Sequence, residues 1–263
     1  MGLFNFFKKK ETSPDTTEKS TLLAMPMFND SERYVVADVL EDLKNYWGVL
    51  ITDFTGDDNS AVFKINDELV ILTYLPAQIP WDEISRTAQY AYNWQTAEED
   101  LKNHNGHAIV SVISTQKSQV ESYSILSKLL SSILSTSNAI GVYHGSQTLL
   151  IPKSQYLEKS SNLLQKKSPV HLWIYIGIRT SNEGNSIYTY GLNEFGKQDI
   201  EVINSQLEIE ELYGFISNIA AYVIDSNITF KSGETLGYTA EQKIKITSSA
   251  GILVEGNTLK LEM

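Results

Sequence analysis

Apolar residues recur along this chain in two patterns, one typical of amphipathic helices and the other of β-strands. Spacings of three and four residues predict a helix whose apolar face includes Val36, Val39 and Trp47, and further helices that start near Trp81 or cover residues 118–134, 153–164 and 207–224. Alternating or β-branched runs predict strands at residues 22–28, 49–54, 61–65, 69–75, 107–113, 139–143, 148–151, 170–178, 187–191, 243–247 and 252–255. This mixture predicts an α+β fold with mixed, mostly antiparallel sheets and packed helices.

The order of these elements also predicts how the chain is divided. Segments 22–75 and 107–151 share an order of strand, helix, strand and strand, which predicts two related βαββ-type halves. We expect a flexible basic and polar leader at residues 1–20, an N-terminal α+β half at 21–168, and a C-terminal α+β half at 169–263 packed against it. The run 170–178 is the most apolar predicted strand, so we expect it near the middle of a sheet.

Candidate cap residues precede three of the predicted helices. A capping box places Ser or Thr three residues before Glu or Gln, so that each side chain satisfies a backbone amide at the helix start. The candidates are Asp30 or Ser31, Ser118 with Glu121, and Ser205 with Glu208.

Charge and cysteine content narrow the classes of function. The formal net charge of −11 opposes binding to nucleic acid, because affinity for phosphates depends on Lys and Arg. Cysteine is absent from the sequence, which excludes a thiolate nucleophile and a thiolate metal site and fits a reducing cytoplasm. We therefore expect a cytoplasmic location and a protein partner.

The start of the sequence combines aromatic and basic residues. The aromatic residues precede the lysines, which is the reverse of a secretory signal. The patch is too short to span a bilayer, although aromatic side chains beside lysines suit an anionic membrane surface. The residues of this alternative membrane contact are Phe4, Phe6, Phe7, Lys8, Lys9 and Lys10.

Several local patterns, spread over nearly the whole predicted fold, resemble one family as a set. They are Pro-Ala-Gln-Ile-Pro-Trp at 76–81, Gly-His-Ala-Ile-Val at 106–110, Gly-Val-Tyr-His-Gly at 141–145, and the segments 169–174, 190–202 and 232–238. Together they resemble the bacterial domain-of-unknown-function family numbered 4261 (DUF4261). The resemblance implies a widespread bacterial cytoplasmic protein without an established activity, so it supplies no catalytic residue. His144 departs from the family pattern, where an aromatic residue, usually Trp, is expected.

The stretch from Tyr188 to Val202 is the strongest candidate for a ligand or partner site. It combines tyrosines, charges of both signs and two glycines that permit close backbone approach. Asp199 and Glu201 are two residues apart, so on a strand they would share one face. The competing interpretation, which the sequence favours, is a solvated strand face opposite Ile200 and Val202. The candidate residues are Tyr188, Tyr190, Glu194, Lys197, Asp199, Glu201 and, in a second glycine-bounded turn, Glu234.

Other catalytic and cofactor signatures are weak in this sequence. His104 and His107 have a spacing that could ligate a metal, but no third ligand is fixed nearby and a structural role is favoured. His144 and His171 are each expected to be structural residues. The sequence contains neither a Gly-x-Ser-x-Gly elbow nor a glycine-rich phosphate loop, so no cofactor is predicted.

Three functions remain as hypotheses. The leading one is a non-catalytic protein-interaction or accessory factor, such as an immunity-type protein, whose acidic surface suits a basic partner. The first alternative is a hydrolase-like enzyme that uses Glu194, Asp199 and Glu201 in one concave pocket. The second is a peripheral membrane protein that binds through its N-terminus. The sequence favours a protein that is not an enzyme.

Overall fold

The computed structural model describes residues 20–29, 33–114, 118–238 and 242–263. Within these residues the backbone forms seven helices and two sheets, one of seven strands and one of six. All strand pairs are antiparallel except β10 with β13, so the predicted α+β class is confirmed. The predicted aromatic and lysine contact at residues 4–10 lies outside the described residues.

The first sheet contains the elements up to residue 152, with helices packed on its faces. Its strand order is β2-β3-β4-β5-β1-β6-β7. The elements are β1 (Ser20–Phe28), α1 (Val36–Asn45), β2 (Ile51–Gly56), β3 (Ser60–Ile65), β4 (Glu68–Leu75), α2 (Trp81–Ala88), α3 (Ala97–Leu101), β5 (Gly106–Ser114), α4 (Gln119–Thr136), β6 (Gly141–His144) and β7 (Leu149–Pro152).

The two similar segments of the N-terminal region share this sheet rather than forming separate ones. The first segment is β1-α1-β2-β3-β4, which has one strand more than the predicted order of strand, helix, strand and strand, and the second is β5-α4-β6-β7, which matches that order. β1 pairs with β5 on one side and with β6 on the other. Each segment therefore completes the sheet of the other.

The second sheet follows three short helical segments. Its strand order is β11-β12-β13-β10-β9-β8. The elements are α5 (Lys153–Ser160), a 3-10 turn (Ser161–Gln165), α6 (Val170–Trp173), β8 (Tyr175–Ser181), β9 (Gly184–Tyr190), a second 3-10 turn (Leu192–Phe195), β10 (Ile200–Ser205), α7 (Ile209–Asp225), β11 (Thr235–Gly237), β12 (Lys243–Ala250) and β13 (Asn257–Glu262).

One predicted strand is wrong over its first half, and another is wrong throughout. Val170–Trp173 forms a helical turn, and the strand that follows begins at Tyr175 and lies at the edge of the second sheet. A short apolar run does not distinguish a buried helical turn from a buried strand, and here Leu172, Trp173 and Ile174 are all buried. The predicted strand at 252–255 is a loop, which wraps around a buried carboxylate described below.

Of the three predicted helix caps, one is present, one is absent and one lies outside the described residues. The capping box of Ser118 and Glu121 is present at the start of α4. At α7 the cap position is Glu208 without a side-chain hydrogen bond, and Ser205 Oγ instead accepts from the Leu207 amide at 3.2 Å. α1 begins at Val36, whose amide donates to Asp58 at 2.7 Å, while Asp30 and Ser31 lie outside the described residues.

An aromatic cluster joins the two sheets. Trp173 packs against Tyr123 of α4 and against Phe195, with ring centroids 5.7 Å away in both cases, and its indole nitrogen donates to Ser127 Oγ at 2.8 Å. Buried side chains from both sheets belong to one apolar cluster. The division into a leader and two halves at residues 20 and 168 stays a prediction.

We expect Trp173→Ala to lower the free energy of unfolding by about 3–5 kcal/mol, because it leaves a large cavity in this cluster and an unpaired Ser127 hydroxyl. Urea unfolding followed by circular dichroism measures the change. The matched control is Tyr222→Ala in α7, whose side chain is 49% exposed and whose loss should cost about 0.5 kcal/mol or less. Equal losses in the two variants would contradict a central role for Trp173.

Candidate functional site

A cleft of about 640 Å³ lies where the second sheet meets the segment around residue 90. Tyrosines dominate its described lining, and we call it the tyrosine cleft. Aliphatic side chains, two carboxylates and small polar residues complete its walls. The lining residues are Tyr90, Thr148, Tyr175, Tyr188, Tyr190, Asn193, Asp199, Leu253, Val254 and Glu255.

Local sequence positions the tyrosine rings. Gly177 of β8 lies opposite Tyr188 of β9, and a Cβ at Gly177 would overlap the Tyr188 ring. The missing side chain therefore lets this ring lie across the neighbouring strand. The ring of Tyr175 meets that of Tyr188 at 61° with centroids 6.1 Å apart, and its hydroxyl donates to the Tyr90 carbonyl at 3.3 Å.

Asp199 supplies a buried carboxylate to the cleft. It is 7% exposed, and its Oδ1 accepts from Thr189 Oγ1 at 2.8 Å and from the Leu192 amide at 3.1 Å. Its Oδ2 accepts a long bond of 3.4 Å from the amide of Gly191, whose φ of 113° begins the turn. In the part of the chain that the structure describes, no Lys, Arg or His forms an ion pair with Asp199. Burial raises the pKa of Asp199, although these hydrogen bonds oppose the rise.

Glu201 is enclosed completely and is held by a loop and a lysine. Its Oε1 accepts from the amides of Leu253 at 2.6 Å and Val254 at 3.0 Å, and both of its oxygens accept from Ile252 at 3.1 Å. Its Oε2 accepts from Thr258 Oγ1 at 2.9 Å and pairs with Lys260 Nζ at 2.6 Å. Burial raises the pKa of Glu201, but the bonds from Lys260 and the loop outweigh burial, so that the pKa lies below its usual range.

The solvated strand face predicted for Asp199 and Glu201 is therefore wrong. Their exposed fractions are 7% and 0%. The turn at Gly191 covers Asp199, and the loop at residues 252–254 covers Glu201, which lies on the interior strand β10 between β9 and β13. Asp199 precedes β10 and fixes the turn at Gly191, whereas Glu201 lies within β10 and fixes the loop after Gly251. That loop brings Leu253 and Val254 to the cleft, so Glu201 shapes a wall without lining it.

The other charged candidates do not line the cleft. Glu194 is half-buried near Tyr123, whose pKa is raised by burial and then by the charge of Glu194. Lys197 Nζ donates to Asn227 and Thr229 at 2.9 Å in both cases. Glu234 caps its own turn by accepting from the Lys231 amide at 2.9 Å. The structure thus brings Tyr188, Tyr190 and Asp199 together at the cleft. Glu194, Lys197 and Glu234 are not part of this group.

The two histidines that were candidate metal ligands, His104 and His107, both form hydrogen bonds with backbone groups. His104 Nε2 accepts from the Ile79 amide at 2.9 Å, which leaves Nδ1 to donate to the Leu101 carbonyl at 2.6 Å. His107 Nδ1 lies 2.7 Å from the Ala77 carbonyl oxygen. Both rings thereby anchor the proline-bracketed segment 76–80. The described residues contain no group of three or more potential metal ligands.

The remaining histidines both stack on tyrosine rings, His144 buried and His171 half-buried. His144 stacks on Tyr156 with ring centroids 6.1 Å apart, and burial lowers its pKa to about 4, so the ring is neutral. His171 stacks on Tyr213, and its Nδ1 lies 3.0 Å from the Tyr213 hydroxyl. Burial also lowers the pKa of His171.

Sequence reasoning missed several residues of the cleft. Tyr90, Tyr175 and Glu255 are far apart in sequence and lie in regions assigned to a helix flank, a strand interior and a strand end. One signal was present, since a glycine in a strand often marks close approach by another group. Gly177 is such a residue, but its partner Tyr188 follows only from the strand register.

Comparison with known families gives a match over part of the chain. Residues 188–262 match the model of DUF4261, a domain of unknown function, so the predicted resemblance is confirmed over that range. The range contains β10, β13, the loop around Glu201 and much of the tyrosine cleft. No curated protein and no solved structure matches the chain significantly. Among the described residues, no helix has the length and apolar character needed to cross a membrane.

We expect Glu201→Gln to lower the free energy of unfolding by about 3 kcal/mol at pH 7, because an amide group would face the loop amides and leave Lys260 without a counter-charge. The folded pKa of Glu201 is depressed. Its stabilisation is therefore present above the unfolded pKa, about 4.3, and is lost as pH falls through the folded pKa. The difference between the variant and the unsubstituted protein should shrink at acid pH.

Urea unfolding at pH 7 and pH 3 tests this expectation. The control is Glu262→Gln, which breaks an exposed 3.2 Å pair with Lys245 in the same sheet and should cost less than about 1 kcal/mol. A loss for Glu201→Gln that is no larger than that of the control, or that grows at acid pH, would show that the carboxylate does not hold the loop.

Proposed function

We propose that this chain is a non-catalytic recognition protein that binds a basic segment of a partner protein at the tyrosine cleft. The carrying observation is the carboxylate of Asp199, which is buried at the cleft and has no ion-pair partner among the described residues. A bacterial cytoplasmic accessory factor, of which an immunity-type protein is one example, is the setting that this proposal favours.

The energetics of Asp199 favour a cationic ligand. Burying a carboxylate is costly unless hydrogen bonds and an opposite charge compensate it. The turn at residues 189–192 supplies hydrogen bonds but no positive charge. A cation that enters the cleft would supply the missing charge, and its binding free energy would include relief of that burial cost.

The cleft walls suit the same kind of ligand. Tyrosine ring faces attract cations, with contributions of about 0.5–2 kcal/mol that depend on exposure. Tyr90 and Tyr190 are 52% and 39% exposed, so their rings are accessible to a partner. The net charge of −11 would also accelerate the approach of a basic protein.

The hydrolase alternative receives less support from the geometry. It requires Glu194, Asp199 and Glu201 to converge on a substrate, and only Asp199 lines the cleft. Glu201 has no exposed surface, and its oxygens are occupied by the loop, Thr258 and Lys260. A carboxylate in that state has no access to a substrate proton.

Titration of a fluorescent peptide rich in lysine and arginine tests the proposed function. We expect it to bind the unsubstituted protein, with about tenfold weaker binding to Asp199→Asn because the unpaired carboxylate is lost. Tyr190→Ala removes an exposed ring and should weaken binding several-fold without unfolding the protein. Fluorescence anisotropy at low and physiological salt measures each affinity.

The control is Asp67→Asn, which changes net charge equally at an exposed turn of the first sheet. Asp67 has a φ of 74°, a conformation that Asn tolerates, so this variant should fold and bind normally. Equal affinity in all three variants would attribute binding to overall charge and overturn the proposal. Cleavage of the peptide, detected by mass spectrometry, would instead support the hydrolase alternative.

A further inference from the structure

We propose that the group received by the tyrosine cleft is the primary ammonium of a lysine side chain, rather than a guanidinium or a quaternary ammonium. This inference rests on the proposed function and specifies its ligand. It follows from which oxygen of Asp199 has acceptor capacity left, how the tyrosine rings are oriented, and what lines the opposite wall.

The hydrogen bonds of Asp199 leave one oxygen for a ligand. A carboxylate oxygen has two lone pairs, and Oδ1 already accepts from Thr189 and Leu192. Among the described residues, Oδ2 has only the 3.4 Å contact from Gly191. An arginine fork binds best when it donates to both oxygens at once, whereas a lysine ammonium binds as a point charge and can donate to one. The single oxygen with acceptor capacity left therefore suits a lysine ammonium.

The orientation of the rings also disfavours a planar cation. A guanidinium gains most from stacking flat on an aromatic face. Tyr175 and Tyr188 cross at 61°, so this pair does not form a parallel slot for a planar group. A compact ammonium has no such directional requirement and is attracted to any accessible ring face.

The rest of the wall suits the lysine stem and excludes a methylated cation. Leu253 and Val254 are half-buried aliphatic residues of the lining, against which a four-carbon stem can pack. A quaternary ammonium would be attracted to the tyrosines but has no N–H to donate to Asp199 Oδ2. Such a ligand would leave the buried carboxylate without a hydrogen bond from its counterion.

Nuclear magnetic resonance titration of the unsubstituted protein tests this selectivity. The probes are capped tripeptides, Gly-X-Gly, in which X is lysine, arginine, trimethyllysine or glutamine. The amide signals of Gly191 and Leu192 report on the site, because both amides donate to Asp199. We expect the lysine peptide to shift these signals and to bind about tenfold more tightly than the arginine and trimethyllysine peptides.

Two variants separate the contact with Asp199 from general attraction. Asp199→Asn should remove the preference for lysine over trimethyllysine, and Tyr190→Ala should weaken all cationic peptides together. Asp67→Asn is a charge-matched control at an exposed turn of the first sheet, outside the cleft lining, and should preserve the order of affinities. The selectivity of the unsubstituted protein is itself decisive if a variant does not fold.

Any of the following results would overturn the inference. Tighter binding of arginine, or equal binding of lysine and trimethyllysine, would show that Oδ2 does not select the ligand. If no tripeptide binds while the longer basic peptide still binds in a manner that depends on Asp199, the lysine assignment fails and the proposed function stands. If the longer peptide also fails to bind, both fall.

Discussion

The enclosed carboxylate of Glu201 is the constraint on which the second sheet and its cleft depend. A buried charge is tolerated only when it is paired and hydrogen-bonded, and here the backbone amides of residues 252–254 and Lys260 meet that requirement. This loop conformation also requires glycine at position 251, because a Cβ there would overlap the Val254 carbonyl. The wall of the cleft is therefore fixed by a residue that a ligand never touches.

Asp199 and Glu201 show how a difference of two residues changes the role of a carboxylate. Both are buried, but Glu201 has a lysine and its pKa is lowered, whereas Asp199 has no cation among the described residues and its pKa is raised. The charge of Glu201 is therefore compensated by groups of the protein itself. The surroundings of Asp199 leave a charge that a ligand could compensate, which is why we place recognition at Asp199.

The sequence predicted most of the first sheet and little of the cleft, for physical reasons. The strands at 61–65 and 69–75 and the cap at Ser118 depend on neighbours within a few residues, so local pattern is sufficient. The helical turn at Val170–Trp173 was missed because a core with Tyr123 and Phe195 buries it on several sides. The burial of Glu201 depends on Lys260 and on a loop fifty residues later, and no local pattern reports that pairing.

The interior position of β1 has a consequence for how the protein forms in the cell. β1 is synthesised before the other strands of its sheet, yet its Ala24 pairs with Val110 and its Met25 with Tyr143. The long segments between these strands must lose conformational entropy before strand pairing stabilises the sheet, which slows folding. At a synthesis rate of about 5–20 residues per second, β1 waits roughly 6–24 seconds for its second neighbour. Until β5 is synthesised both edges of this apolar strand are unpaired, and one edge stays unpaired until β6 follows, which leaves the nascent chain prone to aggregation.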